Sequence, residues 1–96
     1  MAEITISRDR STLRIKKPPL ELMWIVRDVE SGEDDGSELD AYLNSIREHP
    51  GWERLDKWLQ DIEDADSSFG AYCEYDRIGR VKYIEFAVIT ASGGQE

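Results

Sequence analysis

The stretch Phe69–Ile89, FGAYCEYDRIGRVKYIEFAVI, decides the class of fold. Tyr72, Tyr75, Val81, Tyr83, Ile84, Phe86, Val88 and Ile89 are all residues that favour a pleated, half-buried surface. Asp76-Arg77-Ile78-Gly79 interrupts them with turn chemistry, and Gly79 is free to take positive φ. The segment reads as a β-hairpin. A second hairpin lies at the other end of the chain. Ile4 and Ile6 alternate with polar residues, as do Leu13 and Ile15, and Arg8-Asp9-Arg10-Ser11 connects the two runs. Pro18-Pro19 stops the second strand, because proline lacks the donor that a strand ladder needs.

Between the hairpins, Leu20–Val29 is a nearly continuous apolar run. Its length and its Trp24-Ile25-Val26 core favour a strand buried on both faces, with a short helix as the competing reading. Ser31-Gly32-Glu33-Asp34-Asp35-Gly36 then reads as an exposed loop. Ser37 and Asp40 resemble a capping box, with Asp in place of the usual Glu or Gln. Leu39, Tyr42, Leu43 and Ile46 form one helical stripe, and Trp52, Leu55, Leu59 and Ile62 a second, widened by Trp58. His49-Pro50-Gly51 joins them as a helical hairpin or sharp kink. Asp61–Ser68 reads as an acidic connector and Ser92–Glu96 as a frayed tail. The expected fold is α+β, in the order β-β-β-α-α-β-β. A mainly antiparallel sheet would carry a two-helix layer on one face, and one acidic domain would span residues 1–91.

A chain of 96 residues buries about 60–65% of its unfolded surface, enough for one modest core. Its net charge is −9 and unevenly placed. Residues 28–66 hold fourteen acidic and three basic groups, whereas residues 1–27 hold six basic and three acidic. Direct nucleic-acid binding is disfavoured, since phosphate selects basic surfaces. No apolar run reaches the roughly 20 residues of a membrane span, and Met1–Arg10 lacks the apolar core of a secretory signal. Cys73 is the single cysteine, so no intrachain disulfide forms, and a reducing cytoplasm is the expected compartment.

Chemistry finds little support. One His and one Cys give no zinc spacing. If Gly36 filled the sixth position of a calcium-binding EF-hand loop, the twelfth would be Tyr42 rather than the required Glu. Cys73 and His49 carry no nucleophile signature, and Gly32 and Gly36 lie among acids that would repel phosphate. No catalytic residue, metal or cofactor is therefore assigned. Seven Trp and Tyr residues, most of them needed for the core, leave roughly one in four for a partner. Tyr72 and Tyr75 fall on opposite strand faces, one of them exposed.

The remaining reading is a non-enzymatic protein-binding module. Glu33, Asp34, Asp35, Glu38 and Asp40 are the expected contacts to a basic surface of another protein, for instance a nucleic-acid-processing enzyme. The size and charge resemble those of small inhibitors such as toxin immunity proteins, anti-CRISPR proteins and DNA mimics. No residue motif is shared with them, so no functional residue is carried over. An accessory or structural subunit, or a homodimer, is the alternative. A salt-insensitive apolar interface would favour it.

Overall fold

The computed structural model describes residues 2–89. The tail expected at Ser92–Glu96 lies outside them. The N-terminal hairpin is β1 (Glu3–Ile6) and β2 (Thr12–Lys16); the C-terminal hairpin is β3 (Ser68–Tyr75) and β4 (Val81–Ile89). Between them run α1 (Leu20–Ser31), α2 (Ser37–Ile46) and α3 (Glu53–Asp64). The class is α+β, but the order is β-β-α-α-α-β-β, with three helices rather than two.

The difference lies at Leu20–Val29, which is helical. Leu22, Ile25 and Val26 are buried and Val29 is partly so, at the i, i+3, i+4, i+7 spacing of a helix face. Trp24 is 56% exposed, which a strand buried on both faces would not permit. The start and stop follow from sequence chemistry. Pro19 precedes the first turn, and Gly32 at φ 84° takes the left-handed conformation that ends it. The Gly32 amide donates to the Val29 carbonyl at 3.2 Å and the Glu33 amide to Asp28 at 2.9 Å, which closes a Schellman motif.

Two smaller expectations are also corrected. Ser37 does not cap α2: Gly36 holds the cap position, and the Asp35 carboxylate accepts the Ser37 amide at 3.0 Å. Asp61–Ser68 is not all connector, because α3 continues to Asp64. The acids there face water while Ile62, on the same turns, is buried.

All strand pairs are antiparallel, in the spatial order β1-β2-β4-β3. Ile15 is opposite Ile84, which is opposite Cys73; Leu13 is opposite Phe86, which is opposite Ala71. These rows form the inner face, and all three helices pack on that side. Trp58 of α3 is its centre. The indole is 1% exposed and packs against Phe69 and Phe86, with ring centroids 5.5 and 6.1 Å away. Its Nε1 donates to the carbonyl of Arg10 in the β1–β2 turn at 2.9 Å. That bond satisfies the one polar atom of a buried Trp and ties both hairpins to one helix.

Replacing Trp58 with Ala is expected to destabilise the fold by about 3–5 kcal/mol, since it leaves a large cavity. Trp58→Phe retains a ring but leaves the Arg10 carbonyl without its partner, and should lose about 1–3 kcal/mol. Urea unfolding followed by circular dichroism measures both. A Trp58→Phe variant as stable as the wild type would contradict the role given to the indole N–H.

Candidate functional site

The five carboxylates singled out from sequence lie on one short stretch of surface. Glu33, Asp34 and Asp35 form the α1–α2 loop, and Glu38 and Asp40 lie in the first turn of α2. Glu33, Asp35, Glu38 and Asp40 are exposed and Asp34 is half-buried. They are not chemically equivalent. Asp34 accepts the Gly36 amide at 3.3 Å and Asp35 the Ser37 amide at 3.0 Å, so these two shape the loop and start the helix. The Ser37 backbone bond holds the Asp35 carboxyl below its ordinary value. Glu38 and Asp40 make no such bonds among the described residues, and none of the five joins an ion pair there.

The fold turns uneven charge along the chain into uneven charge across it. Residues Leu20–Asp66, the helical layer, carry fifteen acidic and four basic groups, a net of −11. The strands and their turns, residues 2–19 and 67–89, carry eight basic and five acidic, a net of +3. Within the helical layer, Arg47 is spent internally. It bonds Asp56 at 2.6 Å and Glu63 at 2.9 Å, and those carboxylates raise its already high pKa.

Beside the acidic loop, Trp24 and Tyr75 stand 56% and 44% exposed. With Asp28, Glu30, Ser31 and Glu33 they border a shallow recess of about 480 Å³, where the Arg27 guanidinium lies 5.5 Å from the Trp24 ring. Tyr75 is thus the exposed member of the Tyr72/Tyr75 pair. The sequence separates them onto opposite faces; the structure puts Tyr72 beside Glu85 on the outer face and Tyr75 beside Trp24 of α1.

The outer face of the sheet carries a group that sequence reading missed. Arg14, Glu85 and Tyr72 lie side by side across three strands. Arg14 Nε donates to Glu85 Oε1 at 2.7 Å, and the Tyr72 hydroxyl donates to Glu85 Oε2. The same guanidinium sits 4.7 Å above the Tyr83 ring. Glu85 is 7% exposed although no helix covers it. Both its oxygens are engaged, so the cluster braces the sheet and offers no free base. Arg14 and Glu85 are 71 positions apart, and only the strand order β1-β2-β4-β3 could have revealed the pair.

Cys73 and His49 are not brought together. His49 is exposed in the α2–α3 connector. Cys73 is buried on β3, its amide held by Glu30 at 2.9 Å. Burial, reinforced by Glu30, pushes its thiol up to about 11. Among the described residues no three His, Cys, Asp or Glu side chains converge as a metal would require, and no helix is long and apolar enough to cross a membrane. Comparison with protein-family models, with curated proteins and with solved structures gave no match.

The raised thiol pKa has a definite sign. The folded chain holds that proton more tightly than the unfolded chain, so this contribution to stability is complete below the ordinary thiol value of 9.0 and is lost as pH rises towards about 11. Native Cys73 should react with a disulfide reagent at pH 8 far more slowly than in urea. Equal rates in the two states would show an accessible thiolate instead.

Proposed function

We propose that this protein is a non-enzymatic, acidic binding module of the cytoplasm that docks its helical layer on a basic surface of another protein. Where that surface binds nucleic acid, docking blocks it. The observation that carries the reading is the charge segregation: a net of −11 on the helical layer against +3 on the strands and turns. Such a field attracts a basic partner at long range and orients it before contact. Trp24 and Tyr75, exposed beside the α1–α2 loop, supply the large rigid surfaces that most often anchor protein interfaces. Glu33, Glu38 and Asp40 are the contact carboxylates, while Asp34 and Asp35 chiefly hold the loop that presents them. The mechanism is occlusion. It requires no cofactor and no reacting group.

A specific observation keeps the accessory-subunit or homodimer reading as the second choice. Among the described residues no helix lies on the outer sheet face, where Tyr72, Tyr83 and Arg14 are clustered.

The test is affinity capture with the wild type and a Glu33→Lys/Glu38→Lys variant as paired baits, at low and moderate salt. The Glu33 carboxylate accepts only the Ser31 hydroxyl, at 3.4 Å, and the Glu38 carboxylate takes no bond among the described residues, so circular dichroism should not change. A basic protein retained by the wild type alone, and released as salt rises, is the expected result. Equal recovery by both baits would overturn the acidic-surface reading and favour the sheet face.

A further inference from the structure

A groove of about 650 Å³ runs between α2 and the first half of β3. Its size falls within the range of about 300–1,000 Å³ usual for ligand clefts. One wall is the backbone of Ser67–Ala71 and the other is α2. Among the described residues the β3 wall is a sheet edge, because β3 is the last strand in the order β1-β2-β4-β3. Two bonds fix which of its backbone groups point outward. The Val88 amide donates to the Ser11 carbonyl at 2.8 Å, so alternate residues Val88, Phe86 and Ile84 of β4 direct their ladder groups towards β2. Their partners on β3, namely Phe69, Ala71 and Cys73, therefore face away from the sheet. The Cys73 amide confirms this, since it leaves the sheet to meet Glu30.

Natural proteins cover or shorten such edges. Here the opposite edge, β1, has only four residues, and Arg54 of α3 donates to its Ile4 carbonyl at 3.0 Å. In the second half of β3, Glu30 of α1 takes the outward amide of Cys73. At Phe69 and Ala71, by contrast, the edge opens on the groove, and among the described residues no side chain takes its amides or carbonyls.

The other surfaces of the groove suit a particular occupant. Val29, Phe69 and Ala71 are half-buried and present apolar surface. Asp35, Asp40 and Glu63 stand at the rim. Among the described residues the one cation in the groove, Arg47, is already held by Asp56 and Glu63. A lysine or arginine entering there could lay its stem on the apolar surface and direct its charge to Asp35 and Asp40.

The geometry points to β-strand addition: the groove receives an extended segment of a partner protein, which pairs with the β3 edge at Phe69 and Ala71 and directs every second side chain, apolar or basic, towards α2. The backbone bonds supply affinity, and the rim carboxylates select basic sequence. The inference rests on the proposed acidic binding role for its charge preference, but not for the open edge.

The experiment selects short random peptides displayed on phage against the whole chain. Enriched peptides are then synthesised and titrated against three proteins. Ala71→Pro removes an outward amide without taking a ladder bond from β4. Glu33→Lys/Glu38→Lys reverses charge outside the groove. The wild type is the third, and hydrogen exchange on it reads the contact directly even if the proline variant does not fold. Enrichment of extended sequences mixing apolar and Lys or Arg residues is expected. Ala71→Pro should weaken them about tenfold or more, the loss expected for one or two edge bonds. Exchange at the Phe69 and Ala71 amides should slow in the complex. Failure to enrich any peptide overturns the inference, as do peptides that leave exchange at Phe69 and Ala71 unchanged. Peptides weakened by Glu33→Lys/Glu38→Lys and indifferent to Ala71→Pro would overturn the groove and leave the acidic-surface reading standing. The opposite pattern would keep the groove and remove that reading.

Discussion

The structure depends on how Trp58 is buried. A Trp brings a large apolar ring and one N–H that must not be left alone in the core. Here the ring fills the space between Phe69 and Phe86, and the N–H reaches the Arg10 carbonyl. One side chain on α3 thereby holds residues from both hairpins, which also join along the β2–β4 seam. With α3 fixed on the inner face, Asp61 and Glu63 have nowhere to go but outward. Asp61 meets Arg10 at 2.6 Å, and Glu63 meets Arg47 at 2.9 Å. The packing of the core and the charge of the surface are thus two sides of the same helix.

Both hairpins were legible because their signals are local: alternating apolar residues, a polar turn, and Gly79 at φ 85°. The α2 and α3 stripes were legible for the same reason. Leu20–Val29 was misread because its apolar residues lie on more than one side. Trp24 and Leu20 are exposed yet look like core, so they hid the period set by Leu22, Ile25, Val26 and Val29. Gly32 was the available clue, since a glycine at that distance from Pro19 suits a helix end. The acidic stretch was legible as a cluster. Its internal division was not: whether an Asp caps a turn or faces a partner depends on which amide it meets, and Asp35 and Glu38 look alike until that is known.

The open part of β3 was beyond sequence reading altogether. It follows from strand order, from Glu30 of α1 taking the Cys73 amide while those of Phe69 and Ala71 meet no side chain among the described residues, and from α2 packing chiefly against α1. It lies next to the acidic loop, and Asp35 and Asp40 belong to both. A basic partner could therefore use charge for approach and backbone pairing for residence, a division of labour common in protein association.

The central claim is that the helical layer, not the outer face of the sheet, meets basic partners. It is tested most directly by nuclear magnetic resonance titration of the labelled chain with a blocked oligo-arginine peptide. The account predicts saturable shifts concentrated at the amides of Glu33–Asp40 and at the Trp24 indole. These should vanish in about 1 M salt, where the screening length falls to about 3 Å. Shifts centred on Arg14, Tyr72 and Tyr83, or shifts that survive that salt unchanged, would contradict it.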